Sequence, residues 1–363
     1  MTKTPETRET PTFGIEEEFL VVDERGRPSH AAGAVLDSVD DTDGDLQHEL
    51  TRAQAESATE VCRTRAEAVE QLDSMRTALA RAAARRGLRI LPCATPPVAA
   101  EELPSITPTP RYRRMAEHFG ATARTTLTCG CHVHVGVPDP EAGTRVIGHV
   151  RPWLPALLTV TANSAIADGL DTGYCSWRHR QWSQWPSAGP PPRFASHAEY
   201  EGIVEAWLRT GAILDRGMVY WDVRLSENQP TVEFRVADVA ATTGEAALLA
   251  VLCRGLVATV LGRGEPPHLS NEVLRGQLWR AAREGVTGCC PDPATGEVRP
   301  ALEVLTRLTE FCAPALEAAG DTAFVREGLA RLARDGGGAD RQRRRFAARA
   351  DAADVVGEFA VRG

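Results

Sequence analysis

The chain has 363 residues, 43% hydrophobic and 25% charged, with a formal net charge of -8, which describes a folded protein able to bury a large core. The negative charge argues against a general nucleic-acid binder, which would need a basic surface. Polar residues 1–11 lack a signal peptide's apolar core, no uninterrupted apolar run is long enough for a bilayer, and the nine cysteines lack disulfide-scaffold spacing or a Cys-x-x-Cys pair, so a cytoplasmic protein is expected.

Residues 1–11 read as a disordered lead-in. The run Gly14-Ile15-Glu16-Glu17-Glu18-Phe19-Leu20-Val21-Val22 follows and reads as a strand. Side chains alternate along a strand, so Glu16 and Glu18 share one face and Glu17 takes the other. Three adjacent carboxylates between Phe13, Ile15, Phe19 and Leu20 are costly to bury without compensating cations. An exposed edge strand could carry such charge as protection against aggregation, but the apolar flanks argue for a central strand. Glu17 is expected in an ion pair.

Residues 45–60 supply Glu49, Gln54, Glu56 and Glu60 without a clear local structure. Thr64-Arg65-Ala66-Glu67 is a capping box that opens a helix through Leu72, Met75 and Leu79 toward Gly87. Residues 88–93 read as a short strand and 111–124 as helical. Cys131-His132-Val133-His134-Val135-Gly136-Val137 then reads as a strand with both histidines on one face and valines on the other. Taken alone, His-x-His suits half of a zinc site, or a mixed Glu/His set for Mg²⁺ or Mn²⁺ bridging phosphates.

A helical pattern runs from 143 to 168. Residues 173–197 combine Trp177, Arg178, Arg180, Trp182 and Trp185 with three consecutive prolines, which predicts an ordered loop shaping a pocket. Guanidinium groups among aromatics suit bidentate recognition of carboxylate or phosphate. A helix is expected over 197–210 and a strand over 218–225. Thr231-Val232-Glu233-Phe234-Arg235-Val236 is a further strand with Glu233 and Arg235 on one face. Helices are expected at 244–262, 270–285, 298–319 and 321–334, before the basic run 341–345, where Arg341 is a candidate nucleotide contact. The order predicts one α+β catalytic domain over 12–350, helical from about 244, with a tail at 351–363.

Five segments in this order resemble the carboxylate–amine ligase family called glutamate–cysteine ligase type 2. They are Phe13 to Phe19, Glu49-Leu50 with Gln54-Ala55-Glu56, Cys129 to Gly136, Trp177-Arg178 with Trp185 to Pro190, and Thr231 to Asp238. The Glu-x-Glu, His-x-His and Glu-Phe-Arg trio is also distantly similar to the catalytic sheet of glutamine synthetases. The resemblance implies a saddle-shaped antiparallel sheet with helices packed on its convex face, and ATP with Mg²⁺ (or Mn²⁺) on the other. It implies Glu16, Glu18, Glu56, His132 and Glu233 as metal ligands, and Arg235 and Arg178 as catalytic groups touching phosphate or the substrate carboxylate; Arg235, Arg180 and Arg341 are the expected contacts to the nucleotide. Glu60 departs from the small or proline-like residue expected there.

The expected reaction activates a carboxylate as an acyl phosphate with ATP and joins it to an amine, as in γ-glutamylcysteine formation. Small acids and amines are the expected partners, with no nucleic acid or membrane and with homo-oligomerisation open. A metal-dependent phosphotransferase acting on a carboxylate or guanidine, a zinc hydrolase using His132 and His134, and a binding protein without catalysis remain as alternatives.

Overall fold

A computed structural model describes residues 10–40, 42 and 44–363. Most of the expected lead-in, residues 1–9, lies outside them. The main sheet is built from β1 (Phe13–Val22), β2 (Asp45–His48), β3 (Gln54–Ala58), β4 (Arg89–Leu91) and β5 (Gly130–Gly136). After the short hairpin β6 (Ile166–Ala167) and β7 (Leu170–Asp171), β8 (Val223–Leu225) and β9 (Thr231–Asp238) complete it. The strand order is β2-β3-β1-β5-β9-β8, with β4 also on β1, and every pairing is antiparallel. β1 is therefore an interior strand, and its glutamates are not edge protection.

The alternation read from the sequence sorts the two faces. Phe13, Ile15, Val133, Val135, Val232, Phe234 and Val236 are buried in one hydrophobic core. Helices Arg65–Ala84, Leu154–Thr161 and Thr243–Val260 pack on the sheet. Helix Thr243–Val260 is long and apolar enough to cross a bilayer by length and composition alone, but here most of it is buried inside the fold. The capping box forms in full: Thr64 accepts from the Glu67 backbone, and the Glu67 side chain accepts from the Thr64 backbone. Glu17 points to the helix side and accepts two hydrogen bonds from Arg76, at 2.8 and 2.6 Å. That pair neutralises a carboxylate with no solvent exposure.

Several boundaries differ from expectation. The helix expected over 143–168 is broken into Pro140–Val150, a 3-10 turn at Arg151–Trp153 and Leu154–Thr161, because Pro152 and Pro155 lack the backbone donors needed to continue one helix. The loop 173–197 contains a short helix, Trp177–Trp182, whose N-cap Ser176 accepts from the His179 backbone. The stretch expected as one helix over 298–319 starts instead in a hairpin of β10 (Cys289–Pro291) and β11 (Val298–Pro300), followed by helices Ala301–Phe311 and Ala313–Ala318. The expected tail carries helix Ala352–Phe359, whose Ala352, Val355, Val356 and Phe359 enter a second core with Phe19 and Leu20.

Candidate active site

Register places the polar side chains in a row across the other face. Gln47 is the Cα partner of Glu56, Glu56 of Glu18, Glu16 of His132, His134 of Glu233, and Glu233 of Arg224. Directly paired residues project to the same side of a sheet, so one face carries carboxylates, imidazoles and guanidiniums in sequence. A bulge between β5 and β9 shifts the register near Cys131 and Val133, so Asp238 pairs with Gly130. There Asp238 accepts hydrogen bonds from Ser164 and Ser176, both 2.7 Å, and from the Asn163 backbone at 2.9 Å.

Two groups of this row hold ligand atoms within 4.8 Å of one another: Glu16, His134 and Glu233, and Glu18, Glu49 and Glu56. His132 lies between them, with Nδ1 3.1 Å from Glu16 Oε2 and Nε2 3.9 Å from Glu18 Oε1. Burial, then the charges of Glu49, Glu16 and Glu18, push the Glu56 carboxyl well above its usual range. Burial also raises Glu18, against the pull of His132. For Glu16 burial acts upward too, but hydrogen bonds and charge from His132 and His134 outweigh it and hold the group low. Both Nε2 atoms are buried; that of His132 has no hydrogen-bond partner among the described residues, and that of His134 lies 3.1 Å from Glu16 Oε1. An all-carboxylate group suits a hard divalent cation, and the mixed group suits Mg²⁺ or Mn²⁺. The residues present therefore fit the implied ions.

A cleft of ≈ 310 Å³ lies over this row, between it and a wall formed by Arg111, Tyr112, Trp182, Trp185, Tyr220, Arg224 and Arg235. Arg235 donates to Glu233 Oε1, lies 5.7 Å from the Tyr220 ring centre and 6.0 Å from that of Trp182, and keeps a buried Nε unpaired. Burial alone would lower the Arg235 pKa, yet Glu233 raises it. Arg178 is 2% exposed, sits 5.5 Å from the Trp182 ring centre and also has an unpaired Nε. A Cβ at Gly130 would meet its Nη2 at 2.4 Å, so only glycine leaves that guanidinium room.

The structure brings together Glu16, Glu18, Glu56, His132, Glu233, Arg235 and Arg178. It adds His134 and Glu49 to the two groups, and Arg111, Arg224, Trp182, Trp185 and Tyr220 to the wall. Arg180 stands apart, exposed and outside the cleft lining. In a helix, residue 182 lies one turn above 178, while 180 faces the opposite way. Arg341 also stands apart: it pairs with Glu245 at 2.7 Å beside a separate small cavity. The basic run lies on helix Gly338–Ala347, which anchors itself through Gln342, donating to the Asn163 carbonyl at 2.8 Å. Glu60 is exposed and binds no group in the row. Glu49 was legible as an acidic neighbour of Glu56; Arg111 and Arg224 carry no sequence signal of their own.

Known proteins resemble this chain in sequence and in fold. The sequence profile of glutamate–cysteine ligase family 2 matches residues 12–358. A protein of Rhodococcus jostii (strain RHA1), provisionally named glutamate–cysteine ligase 2-1, is 50% identical over 339 residues, covering 92% of each chain. One of the same provisional name from Nocardia farcinica (strain IFM 10152) is 48% identical over 356 residues, covering 97% of this chain and 93% of its own. Among solved structures, a bifunctional glutathione synthetase from Pasteurella multocida superposes with a TM-score of 0.69 at 16% identity. That match covers 97% of this chain and 52% of the longer one. A glutamate–cysteine ligase from Francisella tularensis in complex with AMP gives a TM-score of 0.57 at 12% identity, covering 97% and 88%. Both structures share the fold described here.

Proposed function

The chain belongs to glutamate–cysteine ligase family 2, and from that membership and the site's chemistry we propose that it is an ATP-dependent carboxylate–amine ligase of the γ-glutamylcysteine-forming type. The observation that carries the reading is the single polar row in which Glu16, His134 and Glu233 sit beside Glu18, Glu49 and Glu56, under a wall bearing Arg235. Both groups would hold divalent cations, Mg²⁺ or Mn²⁺. When bound, such ions neutralise and align the phosphate oxygens, which is most of what phosphoryl transfer asks of a protein.

A carboxylate oxygen of the acid attacks the γ-phosphorus of ATP, the bond to the β-phosphate oxygen breaks, and ADP leaves an acyl phosphate. The amine nitrogen then attacks the acyl carbon, phosphate departs, and the nitrogen loses a proton. Arg235 carries an unused buried donor on the cleft wall, suited to the negative charge of the migrating phosphoryl group. Arg178, lacking a carboxylate partner within 4 Å among the described residues, supplies positive potential beneath. Trp182, Trp185 and Tyr220 keep water from the acyl phosphate, whose hydrolysis would waste it.

The test is ADP release from Mg²⁺-ATP with glutamate, with and without cysteine, then across other acids and amines. Release that needs both an acid and an amine supports the ligase. Release with acid alone, trapped by hydroxylamine as a hydroxamate, supports carboxylate activation with another amine. Release indifferent to any acid would refute the proposal.

A further inference from the structure

We propose that Arg224 is a positioning residue that ties the Glu16–His134–Glu233 group to the loop roofing the cleft. The inference rests on the cation reading above and goes beyond it. Arg224 on β8 is the Cα partner of Glu233 on β9. Its Nε donates to Glu233 Oε2 at 2.7 Å and its Nη2 to Oε1 at 3.1 Å. Its Nη1 donates to the carbonyls of Gly217 and Val219, at 2.8 and 3.0 Å. All three nitrogens are thus committed to the protein, on a side chain only 12% exposed.

The two arginines at Glu233 divide their work. Arg235 donates to Oε1 and keeps its Nε free. Arg224 grips both oxygens in a planar fork, which fixes the orientation of the carboxylate. Among the described residues Oε2 accepts from Arg224 alone, and a carboxylate oxygen has two lone pairs, so one remains for a cation. The same guanidinium holds the roof. Gly217 and Tyr220 both line the cleft, and the loop's far side is clasped by Arg111 on Asp215 at 2.8 and 3.0 Å. One side chain therefore sets both a cation ligand and the wall facing the substrate. Lysine, with a single nitrogen, cannot serve two carboxylate oxygens and two carbonyls together.

The test is Mn²⁺ titration of the full chain, followed by electron paramagnetic resonance of the free ion, with no nucleotide or substrate present. Wild type, Arg224→Lys, Glu233→Gln, the double variant and Arg111→Lys are compared. Arg224→Lys is expected to weaken one class of Mn²⁺ sites by about tenfold or more and to leave the other class unchanged. The double variant should bind no more weakly than Glu233→Gln, because Arg224 acts through Glu233. Arg111→Lys, which loosens the roof without touching Glu233, should bind as wild type. Wild-type affinity in Arg224→Lys, additive losses in the double variant, or an equal loss in Arg111→Lys would each overturn the proposal. Absence of Mn²⁺ binding by the wild-type protein would sink the cation reading itself.

Discussion

Glu18 and Glu56 are directly paired across β1 and β3, a placement in which two like charges destabilise a sheet. With Glu49 beside them, the arrangement favours a bound cation over an empty face. Glu56→Gln is expected to raise the melting temperature of the cation-free protein by about 1–3 °C, through relief of repulsion. It should also reduce, without abolishing, the stabilisation conferred by Mg²⁺ on the wild type, because the Glu16–His134–Glu233 group stays intact. Thermal melts with and without Mg²⁺ check both effects.

Adjacent glutamates on β1 should respond in opposite ways. Glu16→Gln is expected to abolish ATP turnover while leaving the melting curve close to wild type, because Glu16 belongs to the polar row. Glu17→Gln removes one partner of the buried pair with Arg76 and should cost about 3–5 kcal/mol of stability. Denaturant melts alongside ADP-release assays separate the two, and a stable Glu17→Gln protein would contradict the buried pair.

Gly130→Ala places a Cβ 2.4 Å from Arg178 Nη2 and 3.0 Å from His132 Nε2. The displaced guanidinium should lower kcat/KM by at least about tenfold, since small misplacements in a reacting site are costly. Steady-state kinetics on a variant that still melts cooperatively is the check.

Asp222 is 2% exposed, and its Oδ2 has no hydrogen-bond partner. Burial, opposed by Arg178, pushes its carboxyl from 3.8 up to about 7. A raised folded pKa means that the stabilising protonated form is fully present below about pH 4 and lost as pH rises through about 7. Asp222→Asn keeps the neutral form at every pH. Its melting temperature relative to wild type should climb between about pH 4 and 7 and level off above. A pH-independent difference would show that Asp222 does not titrate in that range.

Arg341→Ala should leave the KM for ATP within about twofold of wild type, because its partner is Glu245 on the helix side. A large rise in that KM would return Arg341 to the nucleotide.

The polar row and the apolar back of the sheet were readable because strand alternation is local: Glu16 and Glu18, His132 and His134, Glu233 and Arg235 each declare their shared face within three residues. The Thr64 capping box was readable for the same reason. Proline breaks near 152 and 155 were also present in the sequence, but the surrounding apolar pattern masked them.

Other features depended on register and packing between distant segments. Pairing of Glu18 with Glu56, 38 residues apart, and of His134 with Glu233, 99 residues apart, divides the candidate ligands into two groups. Arg341 was set apart from the cleft when helix Gly338–Ala347 docked through Gln342, and Arg224 was brought onto Glu233 when β8 paired with β9. Local chain chemistry specifies which side of a strand a residue occupies. Which residues meet across strands is set only when hydrophobic burial selects one pairing for the whole sheet.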